Sequence, residues 1–205
     1  MLVLNLFSNP FFFFCFIAAL ILALTVHEFA HAWAADKLGD STAKHMGRLT
    51  LNPLAHLDPI GSIFLLLAGF GWGKPVPVND RNFKNPAIDT LKVSVSGPLS
   101  NLLLAVIFAI PIRFLDLPAN TNLLFQVIVS INLILMTFNL LPIPPLDGSS
   151  ILRIFLGESG YAAFEQMGIY ILIAILFFTP LISIIIKYVA GNIFIFLTNT
   201  TPILF

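Results

Sequence analysis

The sequence predicts an all-α membrane protein with four to six transmembrane helices. A re-entrant, short β-containing region is expected on the cytoplasmic side, between the first and second core spans. Three observations carry that prediction. Of 205 residues, 58% are hydrophobic and only 10% charged, with a mean hydropathy of +0.97, whereas a soluble domain carries about 25% charged residues. Several runs without a charged residue reach the roughly 20 residues a spanning helix needs. Finally, seven of the ten basic residues (Lys37, Lys44, Arg48, Lys74, Arg81, Lys84 and Lys92) lie between the first span and the next. Lys+Arg and Asp+Glu balance at 10 each, which excludes a basic nucleic-acid footprint and an acidic tail. The single cysteine, Cys15, has no partner for an internal disulfide.

The elements follow in order. Leu2–Val26 is charge-free and forms the first span; it has no basic leader and runs straight into His27 and Glu28, so it does not read as a secretory signal. Thr42–Thr50 and Lys74–Asn79 read as short extended pieces, the second interrupted by Pro75 and Pro77. Pro59–Gly73 spans 15 residues with one proline and four glycines, and fits a re-entrant or interfacial segment. Val93–Ile112, Leu117–Leu146 and Gln166–Ile186 are spans, and Tyr188–Phe205 is marginal at the chain end. The whole, 1–205, reads as one domain with core motifs in 20–150 and additional C-terminal helices in 165–205. The basic cluster places the 36–92 region in the cytoplasm by the positive-inside rule, making the chain a multi-pass protein of the cell membrane.

Within the first span, Thr25-Val-His-Glu-Phe-Ala-His31 carries the chemistry. Histidines four apart share one face of a helix, and Glu28 stands beside that face. H-E-x-x-H is the arrangement in which two imidazoles bind Zn²⁺ and the glutamate acts as general base. Three ionisable groups in one membrane helix are expensive and need a shared reason; the bland alternative is a polar stripe bonded to a neighbouring helix.

Catalytic zinc takes three protein ligands. The extended motif fails, because Ala34 and Lys37 stand where its glycine and third histidine belong. Candidates for the third ligand are His45, His56, Asp58, Asp147, Glu158 and Glu165. Asp147 is favoured by its setting, at the end of the 30-residue uncharged run Leu117–Leu146 and just after Pro142, Pro144 and Pro145. A broken helix at membrane depth survives where it lines a site, although a plain helix-ending aspartate gives the same pattern. His27 and Asp147 can meet only if their spans run the same way, which the single crossing Val93–Ile112 permits. The metal would then lie roughly 10–15 Å inside the cytoplasmic boundary. Asn101 and Asn139 are amides in apolar spans, so each needs a partner, interhelical or in the site. His56 and Asp58 suggest a local capping or polar pair.

His27-Glu28-Phe-Ala-His31, Gly97-Pro-Leu-Ser-Asn101 and Asn139-Leu-Leu-Pro-Ile-Pro-Pro-Leu-Asp147-Gly148 together resemble the site-2 protease family of intramembrane zinc metalloproteases (peptidase family M50). Asn52-Pro-Leu-Ala-His-Leu-Asp-Pro59 and Gly71-Trp-Gly-Lys-Pro-Val-Pro-Val-Asn79 resemble its small prokaryotic branch. The resemblance implies one Zn²⁺ per chain held by His27, His31 and Asp147, with Glu28 as catalytic base. It also implies that Asn139 and Asn101 line the site near the substrate backbone, as substrate-binding or oxyanion groups. The expected activity is hydrolysis of peptide bonds within or next to transmembrane segments, in regulated intramembrane proteolysis, with a site toward the cytoplasm. Partners are then a transmembrane protein substrate and the lipid bilayer, with no nucleic acid. A zinc or cation transporter, or a catalytically silent membrane scaffold, is the competing reading.

Overall fold

The computed structural model describes residues 9–61 and 73–204, apart from the side chain of Glu158. Among the described residues, five helices are long and apolar enough to cross a membrane. In lipid the backbone must satisfy its own polar groups, so uncharged runs of this length become helices. Helix α1 (Pro10–Leu38) starts with Asn9, whose side chain accepts the Phe12 N–H at 3.1 Å, and Pro10 in the first turn. A short α2 (Thr42–His45) follows. Helix α3 (Pro86–Phe114) tolerates Pro98 and Pro111 inside it; α4 is Ala119–Asn139. Helix α5 (Ser150–Phe178) bends at Gly157, and α6 is Leu181–Thr198.

Helices α1, α3 and α4 form the core, with α6 against it and α5 outermost. Cys15, Phe16, Ala19, Leu20 and Ala23 of α1 pack on Val127, Ile128 and Ile131 of α4. The opposite side of α4 (Val129, Leu133, Met136) meets Ala105 and Ala109 of α3 and Ala190 and Phe194 of α6. The alanines allow close helix approach, which matters where lipid removes the hydrophobic drive for helices to associate.

Two expectations need correction. No strand forms among the described residues; the one ladder contact is an isolated antiparallel bridge between Leu57 and Gly73. Thr42–Thr50 opens with the short helix Thr42–His45 and continues in turns, because Asp40 Oδ1 accepts both the Thr42 N–H, at 3.1 Å, and the Thr42 hydroxyl, a local bond that competes with an extended chain. Lys74–Asn79 joins no sheet, since Pro75 and Pro77 have no N–H to give. The interior of the expected re-entrant segment Pro59–Gly73, residues 62–72, lies outside the described residues. The last two spans also begin and end elsewhere than charge spacing suggested. The break falls at Thr179–Pro180, where proline removes a helix donor, and the exposed Lys187 sits inside α6, as a long amphipathic side chain can.

Candidate metal centre

His27 and His31 are both buried on α1, with ring centroids 4.5 Å apart and nearly perpendicular. Asp147 arrives from beyond the C-terminal end of α4, which runs parallel to α1 and ends on the same side of the core. Helix α4 stops at Asn139, and the proline-rich Leu140–Leu146 connection leads into a 3₁₀ turn over Asp147–Ser149. That connection is tightly seated. A Cβ on Gly148 would collide with the Leu140 carbonyl, and one on Gly168 of α5 would collide with Pro144.

The three side chains converge on one point. His27 Nε2 and His31 Nε2 are 3.0 Å apart, and Asp147 Oδ2 lies 3.2 Å from the first and 3.4 Å from the second. The other ring nitrogens decide what occupies the gap. His31 Nδ1 lies 2.8 Å from the Val93 carbonyl of α3, which can only accept, so this nitrogen carries the proton. His27 Nδ1 lies 2.7 Å from Asn101 Oδ1. The Asn101 amide nitrogen donates to the Ala23 carbonyl at 3.2 Å and to Asn132 Oδ1 at 2.9 Å, and Asn132 in turn donates to the Ile128 carbonyl at 2.9 Å. This chain of donors leaves Asn101 Oδ1 as an acceptor and makes His27 Nδ1 a donor as well.

With each Nδ1 donating, a neutral ring turns the bare lone pair of its Nε2 toward the other ring and toward a carboxylate oxygen. Asp147 Oδ2 is buried and receives no well-formed hydrogen bond. Such a triangle of unsatisfied acceptors is unfavourable in a protein interior unless a cation fills it. Tetrahedral zinc with bonds of about 2.0–2.1 Å separates its ligands by about 3.3 Å, and the observed edges of 3.0–3.4 Å match. Among the described residues this is the single group of three potential metal ligands. Gly97 of α3 makes room for it, because a Cβ there would overlap His31 Nε2 and stand 2.7 Å from His27 Cε1.

The remaining candidates fall elsewhere. Glu28 is partly buried, and its Oε2 accepts the Val76 N–H at 3.0 Å. Asn101 is fully buried behind His27, both an interhelical link and a neighbour of the His27, His31 and Asp147 group. Asn139 ends α4 and donates to its own helix at the Leu135 carbonyl. His56 is buried and donates from Nε2 to the Thr50 carbonyl, while Asp58 accepts the Gly61 N–H, so each makes a local bond apart from the metal group. Glu165 lines a cavity of about 320 Å³ that opens on Asp147, together with Thr90, Ser94, Arg153 and Tyr161. Asn132 and the Val93 carbonyl were not anticipated. An asparagine in the middle of the uncharged Leu117–Leu146 run was a legible signal for Asn132; a backbone carbonyl leaves none.

A multi-pass membrane protein with a buried two-histidine, one-carboxylate centre next to a glutamate is the class that fold and site define. Comparison with known proteins specifies it. Residues 117–179 match Peptidase family M50. The chain is 45% identical over 181 residues, 83% of each protein, to the Bacillus subtilis protein named "Putative zinc metalloprotease YwhC". It is 30% identical over 179 residues, 82% of this chain and 68% of the relative, to the Mycolicibacterium smegmatis protein of the same description, Rip2. Zinc metalloprotease MJ0392 of Methanocaldococcus jannaschii is 26% identical over 159 residues, covering 77% of this chain and 39% of the relative. No solved structure matches. The chain belongs to peptidase family M50, the site-2 protease family, and is a zinc metalloprotease.

Proposed function

We propose that this chain is an intramembrane protease that hydrolyses peptide bonds within or next to transmembrane segments of membrane proteins, in regulated intramembrane proteolysis at the cell membrane. The observation that carries the reading is the convergence of His27 Nε2, His31 Nε2 and Asp147 Oδ2, within 3.0–3.4 Å of one another, between helices apolar enough to span. His27 lies eleven residues before the end of α1, ~16 Å along the axis, so substrate reaches it from within the bilayer's depth. The basic residues of the 36–92 region support a site on the cytoplasmic side. The whole chain, 1–205, acts as one domain.

In this reading His27, His31 and Asp147 hold the metal. Bound zinc supplies a water of lowered pKa, toward about 7, and polarises the scissile carbonyl. Glu28 accepts a proton from the attacking water and returns it to the leaving amine. Asn101 holds His27 in the tautomer that exposes Nε2, the role of an outer-shell partner. Asn139, with its Oδ1 unbonded among the described residues, is the amide left to contact the substrate backbone. A helical substrate has its carbonyls already bonded along the helix, so it unwinds locally before cleavage.

The test is a reconstituted assay with a single-span substrate, comparing wild type with Glu28→Gln. Loss of cleavage with zinc retained is expected. Equal cleavage by both, or zinc uptake into vesicles without cleavage, would overturn the reading in favour of a scaffold or a transporter.

A further inference from the structure

We propose that Lys74–Asn79 is a rigid strap that positions Glu28 through the Val76 N–H, and that Asp40 is the positioning residue that sets the strap. The proposal rests on the reading of Glu28 as general base. Asp40 lies just past the end of α1, fully buried. Its carboxylate is filled with donors. Oδ2 accepts the Asn79 N–H at 2.7 Å, and Oδ1 accepts the Asn82 side-chain amide at 2.7 Å together with the Thr42 N–H and hydroxyl.

The other end of the strap is also fixed. The Lys74 N–H donates to the His56 carbonyl at 2.8 Å, and the Lys74 carbonyl accepts from the Arg48 guanidinium. Between these anchors the chain is Lys-Pro-Val-Pro-Val-Asn. Each proline fixes its own φ near −65°. Each also confines the residue before it to extended backbone, so Lys74, Pro75, Val76 and Pro77 have little freedom. Anchorage at Asp40 is thereby transmitted along the strap to Val76.

Pro75 and Pro77 carry no N–H, which makes the Val76 N–H the donor that this part of the strap can present. It reaches Glu28 Oε2 at 3.0 Å. A glutamate on a helix has three rotatable bonds, and one charge-assisted hydrogen bond from a fixed donor selects among its rotamers. Oε1 remains without a hydrogen bond among the described residues and is the oxygen left for water. Positioning of this kind is worth a large factor in rate, since a misplacement of about 1 Å costs about 100-fold.

The experiment uses the full chain with zinc. In Asp40→Asn one oxygen becomes an NH₂ that faces donors, so the strap loses its anchor. We expect kcat to fall about 10- to 100-fold, with KM within about twofold and zinc content unchanged, and amide exchange at Val76 to accelerate by about tenfold or more. Val76→Pro removes the N–H at a position already extended, and should lower kcat similarly. The double variant should lose no more than the worse single one, the signature of two residues acting along one route. Unchanged kcat or unchanged exchange in Asp40→Asn would overturn the proposal, as would additive losses in the double variant. If Asp40→Asn does not fold with zinc, full activity of Val76→Pro overturns the proposal and a kcat-only loss supports it. Failure of the base reading appears separately, as Glu28→Gln cleaving like wild type. Failure of the strap alone leaves Glu28→Gln inactive and Asp40→Asn fully active.

Discussion

His27 Nδ1 and Asn101 Oδ1 lie 2.7 Å apart across α1 and α3, and this contact turns the other ring nitrogen, Nε2, toward His31 Nε2 and Asp147 Oδ2. Asn101 is held in turn by Ala23 and Asn132, so three helices contribute to the orientation of one imidazole. Asn101→Leu should weaken zinc binding by about 10- to 100-fold, the usual effect of losing an outer-shell partner. Competition with a chelator of known affinity measures this. Unchanged affinity would remove Asn101 from the support of the site.

Asn132→Leu tests the same chain one step further out. The Asn101 amide nitrogen would keep the Ala23 carbonyl and lose Asn132 Oδ1. A smaller loss of zinc affinity than in Asn101→Leu is expected, and a larger one would show that the order of the chain is wrong.

Gly97→Ala places a Cβ where His31 Nε2 stands. Both histidines must shift, so zinc affinity should drop by more than about tenfold, by the argument that ligand geometry must hold within a few tenths of an ångström. The longer Gly97→Val should be worse. Metal analysis of the purified variants against wild type reads the effect.

Asp147→Ala leaves two histidines. Zinc content should fall from one per chain toward zero, because zinc sites in enzymes take three protein ligands. Chelation of wild type should abolish cleavage reversibly, with activity restored by added Zn²⁺.

Gly157 adopts φ 68°, ψ 174° inside α5, a region that is almost exclusive to glycine. A Cβ there would meet nothing within 4 Å, so Gly157→Ala isolates backbone strain from crowding. A loss of about 1–3 kcal/mol is expected, read as a lower thermal midpoint in detergent. A midpoint equal to wild type would mean that α5 straightens at no cost.

Asp40 supplies a pH signature. Burial pushes its carboxyl up, but the hydrogen bonds from Thr42, Asn79 and Asn82 outweigh this and hold it below the ordinary value of 3.8. A carboxyl lowered by folding contributes stability fully above its unfolded value. That contribution is lost as pH falls through the lower, folded one. The wild-type advantage over Asp40→Asn should therefore hold at neutral pH and shrink below about pH 4, a comparison made by unfolding at a series of pH values.

Composition and charge spacing determined much of this protein. Apolar runs in lipid can only be helices, so the spans of α1, α3 and α4 were legible, as was the placing of His27 and His31 on one face of α1, because a four-residue spacing has one meaning on a helix. Asp147 was legible as the acid after a proline-broken run. The ends of α5 and α6 were misread because Lys187 interrupts a charge count without interrupting a helix, whereas Pro180 does interrupt one. Extended pieces were read at Thr42–Thr50 and Lys74–Asn79 from local preference, which Asp40 overrides at the first and missing N–H groups defeat at the second.

Only the tertiary structure decided which asparagine faces which histidine, that the Val93 carbonyl fixes His31, and that Val76 reaches Glu28 from a strap tied to Asp40. These relations join residues 31 to 78 positions apart. Sequence patterning records the face a residue occupies within its own element. Hydrogen-bond partners are chosen across elements, by packing that brings distant backbone and side-chain groups within 3.2 Å.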